Sequence, residues 1–222
     1  MSHTRAGTEP STFPLVAIYA DESCLGNGRE GSNPGGAAGV IEYVHADSGN
    51  LTRWDYWVSE PATTNNRMAL RSAIEAFRAI SRKGVRFRVT FTSDSQYLVK
   101  GMSEWVFGWM ARGWKKKDGP ILNLELWMDA VDAVRAGGHP VSWRWVRGHE
   151  GHPQNEYANY LATRAAREQT SSDGIVASKF DEWLAAEREH ERMAVEPEAF
   201  PSSERFRAVR PYPAMARPTL IT

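Results

Sequence analysis

The sequence predicts an α/β protein built on a five-stranded mixed sheet, three antiparallel strands followed by parallel ones, with helices on its faces. Three observations carry that expectation. Three short apolar or alternating runs, separated by Gly- and Asn-rich turns, come first. Strand-like runs then alternate with stretches of helical period, giving the order β-β-β-α-β-α-α-β-α. Finally, 222 residues with 41% apolar content suffice for one domain with a real core.

The elements follow in order. Residues 1–13 are small and polar and read as a disordered N-terminus. LVAIYA, Leu15 to Ala20, is an apolar run ending at Asp21 and reads as a buried strand. CLGNGREGSNPGGAAG is turn or loop. Ala37 to Val44 and Leu51 to Val58 form two more strands around Asp47, Ser48 and Gly49, completing a meander. Asn65 and Asn66 can cap a helix to about Ser81, with Met68, Leu70, Ala73, Ile74, Phe77 and Ile80 at helical spacing. Val85 to Thr92 returns to a strand. Tyr97 to about Met110 is helical but broken by Gly101 and Gly108, and Leu122 to Val134 is an amphipathic helix stopped by Gly137 and Gly138. Val141 to Val146 is a last strand, and Pro153 to Glu168 a helix that starts on proline.

A domain over 14–170 is thus followed by a C-terminal extension, 171–222. Ser178 to Met193 can form an amphipathic helix with Phe180, Trp183 and Leu184 on one face. It either docks on the domain or binds a protein partner. The tail from Glu196 holds several prolines and scattered Arg, and reads as a linker or disordered arm.

Composition narrows the function classes. Formal net charge is zero, so any nucleic-acid signal must be local. The single Cys24 excludes an internal disulfide framework and fits a reducing compartment. The start of the chain has no apolar segment of signal-peptide type, and nowhere do 18 apolar residues run together. The expectation is a soluble, cytoplasmic chain with no membrane role. In open sheets with helices on both faces, functional groups gather at the carboxyl ends of central strands. Asp21 and Asp94 both fall there, although plain turn aspartates would look the same.

Four strings, in order over about 140 residues, carry a resemblance: ADESCLGN (Ala20 to Asn27), TTNNRMAL (Thr63 to Leu70), TSDSQY (Thr92 to Tyr97) and RGHEGHPQNE (Arg147 to Glu156). Together they resemble type 1 ribonuclease H over about Leu15 to Gln169, and WVFGWMARGWKKK, Trp105 to Lys117, is similar to that family's basic protrusion. The resemblance implies a ribonuclease H-like fold, a monomer, and hydrolysis of the RNA strand of RNA–DNA hybrids by two Mg²⁺ ions, with Mn²⁺ as a substitute. It implies metal-binding catalytic groups at Asp21 and Asp94, and proton transfer or product release at His149. At the two other metal positions stand Ala69, normally Glu, and Asn159, normally Asp. A methyl group ligates nothing, whereas Asn159 still offers a neutral carbonyl oxygen. Glu22 is the candidate replacement. Adjacent side chains of a regular strand point to opposite faces, which argues against it, but a strand end can twist. Glu75, six residues from Ala69, faces elsewhere on its helix.

The substrate groups implied are Cys24, Asn27, Asn65, Asn66 and Gln96 along the minor groove of the hybrid, where amides can both donate to and accept from a 2′-hydroxyl. Arg112, Trp114, Lys115, Lys116 and Lys117 would meet phosphates or stack, unless the tryptophans simply pack helices together. The inserted GREGS after Asn27 and the extension lie outside the family pattern. Three readings follow: a nuclease inactivated by substitution, an atypical nuclease using Glu22, or a module that binds hybrid without cutting it.

Overall fold

The structure, a computed structural model, describes residues 13–26, 33–148 and 150–214. Its sheet has six strands in the order β5-β4-β1-β2-β3-β6. The meander is β1 (Leu15–Cys24), β2 (Gly35–Val44) and β3 (Leu51–Glu60), followed by α1 (Asn65–Ser81), β4 (Arg88–Ser93), α2 (Gln96–Lys100), α3 (Val106–Ala111), α4 (Leu124–Gly137), β5 (Val141–Trp145) and α5 (Pro153–Glu168). Beyond them come β6 (Val176–Ala177) and α6 (Phe180–Glu189). Strands β1, β4 and β5 run parallel; the other pairings are antiparallel. The sixth strand was not expected: its two residues, paired as Trp54↔Ala177 and Asp55↔Val176, are too short for alternation to show.

Alternation along β1 builds two cores. Val16, Ile18 and Ala20 face α1 and α4, together with Phe77, Phe91 and Trp127. Ala17 and Tyr19 face α5 and α6, with Tyr157, Leu161 and Phe180. Strand β1 outruns its neighbour, because pairing to β4 stops at Ala20↔Ser93 while pairing to β2 continues to Cys24↔Gly35. Four residues therefore overhang the end of β4.

Local differences from the expectation have local causes. The N-cap of α1 is Thr64, not Asn65 or Asn66: its backbone is extended and its side chain accepts from Arg67 N at 3.4 Å. Neither Gly101 nor Gly108 ends the helical stretch. Residues Gly101–Trp105 form a π-helical turn joining α2 to α3, and a Cβ at Gly101 would overlap the Trp127 indole. The glycine lets α4 pack closely, and the wider turn accommodates it.

The extension folds back onto the domain. Phe180 is fully buried beneath the Arg53 guanidinium, and Arg53 pairs with both Glu42 and Asp181 at 2.8 Å. Lys179 N and the Tyr157 hydroxyl both donate to Asp55 Oδ2. The reading of the proline-rich tail as a disordered arm is corrected over 196–214, which forms a strap along β5. Val209 N donates to Val141 O at 2.8 Å, and Tyr212, buried, stacks on Phe107 and accepts from Trp143 Nε1. Packing outweighs composition here, since prolines favour an extended chain but do not prevent its docking. The part of the N-terminus before Phe13 lies outside the described residues.

Candidate functional site

The overhang of β1 and the end of β4 bring Asp21, Glu22 and Asp94 together, with carboxylate oxygens all within 4.8 Å of one another. Asp94 follows directly on β4, so it stands beside the overhanging residues. Asp21 is 5% exposed and points to the α5 side. Its Oδ1 accepts from Glu22 N at 2.6 Å and its Oδ2 from Asn155 Nδ2 at 3.2 Å. Glu22 points to the α1 side, where the Ser95 hydroxyl donates to it. The two neighbours do face opposite sides of the sheet, as alternation requires. They still share one space because that space lies off the sheet's end, reachable from both faces.

Crowding sets the electrostatics. Burial first, then the charge of Asp94 and that of Glu156, push the Asp21 carboxyl up to about 8. Glu22 is held well above the usual carboxylate range by burial and by the charges of Asp21 and Asp94. The donor set is all oxygen and its like charges face one another, which is the environment a hard divalent cation relieves.

The other expected metal positions behave differently. Ala69 is fully buried in the core on the α1 face, beneath the side of β1 from which Glu22 projects. Asn159 stands one turn beyond Asn155 on α5, half-buried, and its Oδ1 accepts a long bond from Thr163 Oγ1 at 3.5 Å. It lines a cleft with Gly151 and Glu156. Glu75 pairs with Arg78, as a solvated helix residue does. His149 and Asn27 lie outside the described residues, as does the whole GREGS insertion.

Around the carboxylates, Cys24 Sγ donates to Thr63 O at 3.4 Å, so the end of β1 abuts the lead-in to α1. Asn66 and Gln96 are exposed, and Asn65 carries a buried Oδ1 with no hydrogen-bond partner among the described residues. In the protrusion, Arg112, Lys115, Lys116 and Lys117 are exposed. Trp114 is not available for stacking: it is 6% exposed and belongs to the core, with a left-handed backbone at φ 60°. Trp105 and Trp109 pack on each other and on Trp127. The packing explanation is the one that holds for these indoles.

Two contributors, Asn155 and Ser95, were not singled out from the sequence, and Gly148, which reads there as a flexible flank of His149, has a packing role instead. Asn155 and Ser95 hold the carboxylates. Gly148 lets the loop after β5 pass against Asp94, since a Cβ there would collide with Asp94 Oδ2. All three lie in or beside the four quoted strings; what was missing was a partner to assign them.

Comparison with known proteins places this geometry. The RNase H family profile matches residues 14–167. A ribonuclease H of Pelobacter propionicus is 41% identical over 166 residues, covering 74% of this chain and 93% of its own. That of Cupriavidus necator is 46% identical over 151 residues, covering 67% and 93%. Among solved structures, LC9-RNase H1, described as a type 1 RNase H with the type 2 active-site motif, is similar at 59% identity and TM-score 0.84, covering 93% of this chain and 98% of that one. That coverage reaches past residue 167 into the C-terminal extension.

Proposed function

The chain belongs to the ribonuclease H family, and on that premise we propose that it is an endoribonuclease hydrolysing the RNA strand of RNA–DNA hybrids, with Glu22 replacing the family carboxylate that Ala69 lacks. The observation that carries this reading is the convergence of Asp21, Glu22 and Asp94 within 4.8 Å. With Asn159 they would hold Mg²⁺, or Mn²⁺ in its place, so three of four ligands are anionic rather than two. Bound there, the divalent ion supplies the charge that activates water and stabilises the leaving oxygen.

The chain's own groups orient this centre. Asn155 and the Glu22 amide fix both oxygens of Asp21, Ser95 steadies Glu22, and the close pass of Gly148 confines Asp94. Asn159 contributes a neutral oxygen, and His149 moves a proton or helps product leave. Cys24, Asn27, Asn65, Asn66 and Gln96 read the minor groove, where the free Oδ1 of Asn65 suits a 2′-hydroxyl donor. Arg112, Lys115, Lys116 and Lys117 meet the phosphates.

The test is cleavage of a hybrid labelled in its RNA strand, in Mg²⁺ and in Mn²⁺. Cutting that disappears in Asp21→Asn and in Asp94→Asn supports the proposal. A chain that binds hybrid without cutting, and cuts only after Ala69→Glu with Asn159→Asp, is a binding module instead.

A further inference from the structure

Glu198 lies in the strap beyond α6, outside the family region 14–167. Its carboxylate sits between Arg144 at the end of β5 and His152 at the start of α5. Arg144 Nη1 donates to Oε1, and His152 Nε2 stands 2.8 Å from Oε2. Gln154 holds the same residue by its backbone: Gln154 Nε2 donates to Glu198 O at 2.8 Å, and Glu198 N donates to Gln154 Oε1 at 3.0 Å.

His152 has a second task. It is the N-cap of α5, and its Nδ1 accepts from Asn155 N at 3.4 Å. A neutral imidazole that accepts at Nδ1 carries its proton on Nε2, the atom that faces Glu198. Asn155, in the turn so capped, donates to Asp21 Oδ2 at 3.2 Å and reaches Ala20 O at 3.5 Å. A continuous set of contacts thus runs from the strap to the carboxylate cluster.

We propose that Glu198 is a positioning residue for the active site: it fixes the Nε2–H tautomer of His152, which caps α5 and so holds Asn155 against Asp21. The inference rests on the reading of Asp21 as a site residue, but its first step does not depend on any reaction. Glu198 itself works only through His152.

The isosteric variant Glu198→Gln tests it in the full chain. With its carbonyl kept on the Arg144 cation, the new amide presents N–H to His152 Nε2, which must then accept. The proton moves to Nδ1 and the cap is lost. Nitrogen-15 spectra of labelled histidine should show His152 as the Nε2–H form in the unmodified protein and as the Nδ1–H form in the variant. Hybrid cleavage should fall about five- to tenfold in kcat, the size of a lost N-cap, with KM little changed. In a His152→Asn background, where Asn caps without outside help, Glu198→Gln should cost less than about twofold. An unchanged tautomer, or the same cost in both backgrounds, overturns the proposal. Because the spectra need no turnover, a chain that fails to cut hybrid would refute the proposed function while leaving this test intact.

Discussion

Replacing Glu22 by Gln should make the metal-free protein more stable and the working enzyme nearly inactive. The substitution keeps shape and removes one charge from a cluster whose oxygens lie within 4.8 Å of one another. At that separation and an effective dielectric near 20, each pair of carboxylates repels by about 3 kcal/mol. Glu22 faces two such partners, Asp21 and Asp94, and burial adds to the cost. Protonation limits the penalty to about 1.4 kcal/mol for each pH unit above the group's ordinary value. A realised gain of about 1–3 kcal/mol is therefore expected near neutral pH without divalent ions. For a domain of this size that is a rise in Tm of roughly 3–10 °C by scanning calorimetry in a chelating buffer. With Mg²⁺ the order reverses, because ligand binding stabilises by RT ln(1 + [L]/Kd) and the variant has lost one of three anionic ligands. Cleavage should drop by about 10²-fold or more at the same Mg²⁺ concentration. A variant less stable than the parent without metal, or as active as the parent with it, would refute the reasoning, since either result means that Glu22 lies outside the cluster's field.

Other expected outcomes follow from single contacts. In Gly148→Ala the new methyl displaces the Asp94 carboxylate, so Mg²⁺ binding measured by calorimetry should weaken at least about tenfold while thermal stability changes little. Gly36→Ala drives a methyl into the α5 backbone at Ala162 and Ala166, and denaturant titration should show a loss of about 2–4 kcal/mol. His139 is 5% exposed; burial holds its imidazole below the usual range, and Nδ1 accepts from Phe87 N at 3.1 Å. The native state therefore resists protonation, and its contribution to stability is fully present above the unfolded value near 6.5 and is lost as pH falls through it. Because Asp21 and Glu22 titrate the other way, the His139 effect is read as a difference: the Tm of His139→Gln relative to the parent should rise as pH falls from about 7 to 5.

Much of this architecture is written in local pattern. The apolar run from Leu15, the helical spacing from Met68 to Ile80 and the proline that opens α5 each place an element within a few residues. Asp21 and Asp94 were legible because strand ends are where such folds expose side chains. Glu22 was legible only as a candidate, because alternation puts it on the opposite face from Asp21; the missing information was that β1 outruns β4, a property of pairing that leaves both side chains at one open end. Likewise β6, Glu198 and Tyr212 owe their places to partners far away in sequence, Trp54, His152 and Phe107. A proline-rich string cannot announce such anchors. Trp114 misled in the other direction, since a tryptophan beside lysines reads as a stacking platform until its burial is seen.

The C-terminal segment also meets both margins of the sheet. Ser172 to Ser178 lies along β3, with Ser172 N donating to Trp57 O and Ser178 N to Arg53 O, while Val209 N takes up Val141 O on β5. Open margins of a β-sheet are templates on which another chain can add itself. One stretch of chain hems the fabric on its two sides, so cutting back to the family region would expose both at once. The trimmed domain would then carry two open borders, each a place where another copy can add a strand.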